Sequence, residues 1–267
     1  MSRIETGTEK LLAEVVDGVA RVTFNNPAKR NALSFEIRAA LPKLLQSLQD
    51  DPAVRVVVMT GAGSEAFVSG ADISEFGQQR TSPESRAEYD RQGTDSFRAW
   101  ATLDKPVIAM IRGFCIGGGL ITALQADIRI ASEDAQFGVP AARLGLGYGF
   151  GGVEMLAQVV GASWAAEILF SARRLGAAEA LAIGLVNRVV AGEKLESEVT
   201  ELARSIRDNA PLTVAACKAA LRELRRDPAK RDLARVNAQV EACFRSEDYK
   251  EGQRAFLEKR RPRFTGS

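Results

Sequence analysis

Residues 15–24, Val-Val-Asp-Gly-Val-Ala-Arg-Val-Thr-Phe, place alternating apolar positions on either side of Asp17-Gly18. That pattern predicts a hairpin, because Asp-Gly accepts the positive φ of a tight turn between two strands. Asn25-Asn26-Pro27 ends it, and the period then becomes helical: Ser34 can cap a helix that carries Ile37, Leu41, Leu44, Leu45 and Leu48 on one face, up to Asp50-Asp51-Pro52. Pro42 falls inside that helix and removes one of its N–H donors. Residues 54–61, 106–111 and 126–131 are short β-branched runs of the kind found in buried strands. Helical patterns separate them, which predicts stacked β-α units rather than an all-β sandwich. Beyond about residue 190 the pattern is wholly helical, with Val199, Leu202, Ala203 and Ile206 on one face and Leu233, Val236, Val240 and Phe244 on another. The expected organisation is an α/β body over residues 1–195 and a helical region over 196–267.

Composition narrows the chemistry more than the fold. The 267 residues are 46% hydrophobic and 26% charged, which excludes disordered and collagen-like classes. With 36 basic against 34 acidic residues the net charge is +2, without the basic excess expected of a nucleic-acid binder. No uncharged apolar run reaches the roughly 18 residues of a membrane span, and the first residues lack a signal-peptide core, so a cytoplasmic protein is expected. Cys115, Cys217 and Cys243 are too scattered for a zinc site or a disulfide framework. Histidine is absent altogether. Ser-His-Asp and Cys-His pairs and imidazole metal ligands are thereby excluded, and acid-base chemistry falls to carboxylates, Lys, Tyr, Cys or water. Residues 245–263 carry seven basic and four acidic side chains, a local excess able to hold a phosphate.

Three glycine-bearing segments could carry chemistry. In Ser69-Gly70-Ala71-Asp72-Ile73-Ser74-Glu75, Asp72 and Glu75 have capping spacing and predict a helix start just after Ala71. In Cys115-Ile116-Gly117-Gly118-Gly119-Leu120-Ile121, three glycines lie between a strand and a helix, and the Walker spacing is absent. Free N–H groups from these two turns could serve together as donors to one developing oxyanion. Gly147, Gly149 and Gly152 form a formal G-x-G-x-x-G, but the residues before it make a poor strand, so a close-packed loop beside a ligand fits better than a dinucleotide site.

The order of Arg30-Asn31-Ala32-Leu33-Ser34, Ser69-Gly70-Ala71-Asp72, Lys105-Pro106-Val107-Ile108-Ala109, Gly117-Gly118-Gly119, Gln136-Phe137-Gly138 and Ala255-Phe256-Leu257-Glu258-Lys259 resembles the crotonase, or enoyl-CoA hydratase/isomerase, superfamily over essentially the whole chain. The resemblance implies a β-β-α spiral with a C-terminal helical trimerisation region, assembled as a homotrimer or a dimer of trimers. It implies an acyl-CoA substrate, with coenzyme A entering as part of that substrate and no separate cofactor; with the charge, hydropathy and cysteine readings above, no metal, nucleic-acid or membrane partner is expected. By position Ala71 and Gly118 match the residues whose N–H groups hold the thioester oxygen. Arg30, Ala32 and Leu33, then Ala71, Asp72 and Ile73, match the CoA path, and Phe256 and Lys259 match tail residues that reach CoA from a neighbouring subunit.

One departure stands out. Hydratases similar to this chain use two glutamates, and their positions here hold Ile121 and Ala141. A positioned acid or base is worth roughly 10²–10⁴ in rate. Tyr148 is the candidate replacement donor, Arg143 a candidate for binding a substrate carboxylate, and Glu75 and Glu154 candidate bases. Three functions follow from the resemblance: a hydratase/isomerase-type enzyme that stabilises a thioester enolate, a decarboxylase or other enolate-forming enzyme of the same fold, or a non-catalytic acyl-CoA binder.

Overall fold

A computed structural model describes residues 2–75 and 82–267, without the side chains of Ile73, Pro83, Arg86, Tyr89 and Asp90. The chain opens with β1 (Ser2–Ile4), β2 (Leu11–Val16) and β3 (Val19–Phe24), and the β2–β3 hairpin turns at Asp17 (φ 47°) and Gly18 (φ 75°) as Asp-Gly requires. Helix α1 (Phe35–Asp50) starts where Ser34 Oγ accepts the Ile37 N–H, and its buried residues are the five apolar positions of the predicted face. Burying each contributes roughly 1.5–3 kcal/mol. Pro42 does not break the helix. The carbonyl it cannot bond, that of Arg38, accepts the Ser96 hydroxyl at 2.8 Å instead.

Three β-β-α turns follow. β4 (Val56–Gly61) and β5 (Ala66–Val68) lead to α2 (Pro83–Thr102). β6 (Val107–Ile111) and β7 (Phe114–Ile116) lead to α3 (Gly118–Leu124). β8 (Ile128–Ser132) and β9 (Gln136–Gly138) lead through a 3-10 turn, Pro140–Leu144, to α4 (Phe150–Ser171). The first strand of each turn joins a seven-stranded sheet, where β3, β4, β6, β8 and β11 (Arg188–Val190) run parallel. The second joins a four-stranded sheet ordered β10-β9-β7-β5, in which β10 is Leu175–Gly176. The predicted α/β spiral is therefore present, and the main core, from Leu11 and Phe24 through Phe67 and Phe137 to Leu185, fills its interior.

After α5 (Ala177–Ala182), helix α6 (Leu195–Arg207) packs Leu195, Val199 and Ala203 against Val56, Val58, Ile108 and Ile130 on the other face of the large sheet. Helices α7 (Pro211–Leu224), α8 (Leu233–Arg245) and α9 (Glu247–Leu257) complete the chain. Among the described residues α4 is one helix long and apolar enough to cross a bilayer by length and composition, although Glu154 and Glu167 break its apolar run. Gly161 (φ 78°, ψ 162°) interrupts it, however, so neither segment spans the ~30 Å of a hydrocarbon core at 1.5 Å per residue. Leu156, Val160, Ala165 and Ile168 of this helix are buried in the protein.

Candidate active site

The two predicted donors meet where β5 and β7 end. Leu33 bridges Ala71 in parallel: its N–H donates to Gly70 O at 2.8 Å, and its carbonyl accepts the Asp72 N–H at 3.1 Å. A parallel bridge of this form turns the N–H of the central residue, Ala71, away from its partner. Gly118 is the first residue of α3, so its N–H has no intrahelical acceptor. The two amides are adjacent: a Cβ added to Gly118 would lie 3.7 Å from Ala71 N, and one added to Gly70 would lie 3.9 Å from Gly118 N. Neither N–H has an acceptor among the described residues. Gly117, with φ 55° and ψ −119°, makes the turn that aims Gly118, and its own N–H is held by Gly138 O at 2.8 Å.

The segment that carries Leu33 is fixed by strain and hydrogen bonds together. Arg30 and Asn31 are both left-handed (φ 51° and 57°), and the buried Asn31 amide donates to Ala62 O and Ala66 O while its oxygen accepts the Asn26 N–H. Ala32 and Leu33 are thereby buried behind the donor pair, while Arg30 stays exposed and pairs with Glu65 at 2.6 Å. Asp72 is buried and accepts from Lys29 Nζ at 2.8 Å and from Ser74. Burial alone would raise its pKa, but the bonds from Lys29 and Ser74 outweigh this and hold the carboxyl below its usual range. The helix predicted after Ala71 is a single 3-10 turn, Ile73–Glu75, among the described residues. Glu75 does not close a capping box; its carboxylate accepts the Phe35 N–H and caps α1 instead. The Ile73 side chain lies outside the described residues.

Beyond the donor pair opens a cavity of about 700 Å³. α1 lines it with Arg38 and Leu41, α2 with Phe97 and Trp100, α3 with Gly118, Ile121 and Thr122, the loop into α4 with Tyr148, and the first turn of α4 with Gly152. Sequence reading singled out Ile121 and Tyr148 but missed Phe97 and Trp100. Their signal was the helical spacing Gly93, Phe97, Trp100 along one face of α2. No Asp or Glu is among the described side chains that line the cavity. Thr122 Oγ1 is turned to Gly118 O (2.9 Å) and Ser96 Oγ to Arg38 O, whereas the Tyr148 hydroxyl has no partner among the described residues. Burial pushes the Tyr148 phenol above its usual 10.0, which keeps the hydroxyl protonated at neutral pH.

The remaining candidates lie elsewhere. Ala141 is buried in the 3-10 turn beside Gly117, where Pro140 Cδ stands 3.8 Å from the Cβ position of that glycine. Arg143 is exposed on the same turn, outside the cavity lining, and Glu154 is exposed on α4. Phe256 and Lys259 are exposed at the end of α9, and Phe256 borders an apolar groove with Val240 and Phe244. The G-x-G-x-x-G segment follows a 3-10 turn, not a strand, which removes the dinucleotide reading.

A β-β-α spiral that ends two of its turns in converging N–H donors is an α/β enzyme framework of the crotonase type. A family profile described as enoyl-CoA hydratase/isomerase matches residues 14–267, and the chain belongs to that family. It is 40% identical over 243 residues to the short-chain-enoyl-CoA hydratase of Clostridium acetobutylicum, covering 91% of this chain and 92% of the relative. It is 38% identical over 256 residues to the crotonyl-CoA hydratase of Syntrophomonas wolfei, covering 96% and 98%. The crystal structure of an enoyl-CoA hydratase/carnithine racemase from Magnetospirillum magneticum superposes with a TM-score of 0.91 at 34% identity, covering 97% of each chain.

Proposed function

We propose that this protein is a lyase/isomerase of the enoyl-CoA hydratase type, in which the N–H groups of Ala71 and Gly118 hold the thioester oxygen of an acyl-CoA as it becomes an enolate oxyanion. The observation that carries the reading is the pair of adjacent amides, without acceptors among the described residues, at the edge of a cavity whose walls include Leu41, Phe97, Trp100 and Ile121 beside Arg38 and Gln125. Two donors aimed at one developing charge are the largest single source of rate in such chemistry, at roughly 10²–10³ for each. The places of the two family glutamates are taken by Ile121 and Ala141, so the proton is delivered by the Tyr148 hydroxyl. Arg30, Ala32, Leu33, Asp72 and Ile73 flank the CoA path. Phe256 and Lys259 serve a neighbouring protomer of a trimer or dimer of trimers. The exposed apolar groove between α7, α8 and α9 supports that assembly.

A cavity without a described carboxylate also favours a second reaction on the same framework. Loss of CO₂ from a 2-carboxyacyl-CoA generates the enolate without a base, and the same two N–H groups would stabilise it. Purified protein supplied with crotonyl-CoA in ¹⁸O water distinguishes the two. Label at the β-carbon during turnover supports hydration, and CO₂ release from methylmalonyl-CoA without hydration assigns decarboxylation. CoA binding with neither reaction would overturn both and leave a binding protein. Sedimentation of the wild type against Phe244→Glu tests the assembly.

A further inference from the structure

Two arginines converge on one aromatic ring at the end of the small sheet away from the acyl cavity. The guanidinium carbons of Arg30 and Arg174 each lie 5.1 Å from the centroid of Phe114 in β7. They arrive from opposite edges of the sheet. Arg174 immediately precedes the edge strand β10, and Arg30 is tied beyond the other edge strand, β5, where its carbonyl accepts the Ser69 N–H. The two guanidinium carbons are thus no more than about 10 Å apart.

Among the described residues one of them has a carboxylate partner and the other has none. Arg30 has Glu65 at 2.6 Å, whereas Arg174 makes a 3.4 Å contact with the neutral Gln136 oxygen and has no carboxylate partner among the described residues. Its sequence neighbour Arg173, by contrast, is bonded to both Glu167 and Glu179. The position of Arg174 is built rather than incidental: its Cα would lie 3.6 Å from a Cβ on Gly138, and Leu175 pairs with Phe137, so the backbone is held against β9. The ring also stands at a defined place relative to the chemistry. Phe114 opens β7 and precedes Gly118 by four residues, at most about 13 Å at 3.3 Å per residue, a span within reach of the pantetheine arm of a CoA thioester.

We propose that Arg174, held beside Arg30 over Phe114, is a binding residue for a phosphate group at the nucleotide end of the CoA thioester. The inference rests on the acyl-CoA reading above and adds a residue to it. A guanidinium suits the task because its planar fork can give two parallel N–H bonds to a phosphate.

Calorimetric titration of wild type, Arg174→Gln and Arg174→Lys with CoA, dephospho-CoA and the corresponding pantetheine thioester tests the proposal. Arg174→Gln is expected to weaken CoA about tenfold, the effect of losing one charge-assisted contact, and the pantetheine thioester by less than twofold, with Arg174→Lys between wild type and Gln. Persistence of the loss with dephospho-CoA assigns the contact to the diphosphate, and its disappearance assigns it to the 3′-phosphate; either supports the proposal. Unchanged CoA affinity in Arg174→Gln, or an equal loss for the pantetheine thioester, overturns the assignment of Arg174 and leaves the acyl-CoA reading intact. A wild-type protein that binds none of the three ligands overturns both.

Discussion

Tyr148 and Ile121 meet over the bare α-carbon of Gly152: a Cβ placed there would lie 2.9 Å from Tyr148 Cε1 and 3.6 Å from Ile121 Cδ1. The glycine therefore sets where the phenol ring lies along the cavity wall. Gly152→Ala removes a glycine from the first turn of α4, which by propensity favours the helix by up to about 1 kcal/mol, while it pushes the ring aside. The expected result is a melting temperature equal to or above that of the wild type with kcat at least tenfold lower. Wild-type kcat in this variant would show that the ring position does not matter.

The two neighbouring glycines of α3 should fail in different ways. A Cβ on Gly118 meets nothing nearer than 3.7 Å, so Gly118→Ala folds, yet its methyl would stand 3.7 Å from the Ala71 nitrogen, beside the donor pair. Loss of 10²–10³ in kcat at near-wild-type stability is expected, roughly the effect of one oxyanion donor. A Cβ on Gly119 would lie 2.0 Å from the Val68 carbonyl oxygen, so Gly119→Ala must move the β5 backbone and is expected to lower stability by several kcal/mol. Circular dichroism melts alongside turnover separate the two.

Tyr148→Phe keeps the ring and removes the hydroxyl. If that hydroxyl supplies the proton, kcat falls by roughly 10²–10⁴ while KM changes little. The pH profile gives an independent readout. Because burial raises the phenol above its ordinary 10.0, the donor stays protonated through neutral and mildly alkaline pH, and the alkaline limb of kcat is expected above pH 10. A limb below pH 9 that survives in Tyr148→Phe would assign the acid to another group.

Ser96 and Pro42 form a coupled pair through the Arg38 carbonyl. Ser96→Ala removes the hydroxyl donor from that part-buried carbonyl and should cost about 1 kcal/mol in denaturant unfolding. Pro42→Ala restores the N–H that would bond the same carbonyl within α1, so Ser96→Ala should cost distinctly less in that background. Additive effects in this double-mutant cycle would show that the two donors do not substitute for one another.

Much of the fold was legible in local pattern. The Asp17-Gly18 turn, the Ser34 cap with its five buried apolar positions, and the three β-branched runs all appear where periodicity and capping chemistry put them, because each depends on a few adjacent residues. Pro42 was less transparent, since its tolerance depends on a hydroxyl 54 residues away in sequence. The pair Asp72 and Glu75 misled for the same reason. Their spacing fits a capping box, but Phe35 claims the Glu75 carboxylate, and only the packed chain brings that N–H within reach.

The sequence alone determined which chemistry was open to this protein. Without histidine, acid-base chemistry fell to carboxylates, Lys, Tyr, Cys or water, and the N–H groups of two glycine-bearing turns stood as donors, because side-chain identity limits which protons and charges are available. Tertiary structure decided the rest. The adjacency of the Ala71 and Gly118 amides, the meeting of Tyr148 with Ile121, the cavity wall of Phe97 and Trp100, and the convergence of Arg30 and Arg174 on Phe114 all join segments far apart in the chain. Which way a peptide N–H or a ring faces is set by the hydrogen bonds and packing of a spiral closed on itself, and those forces act across space.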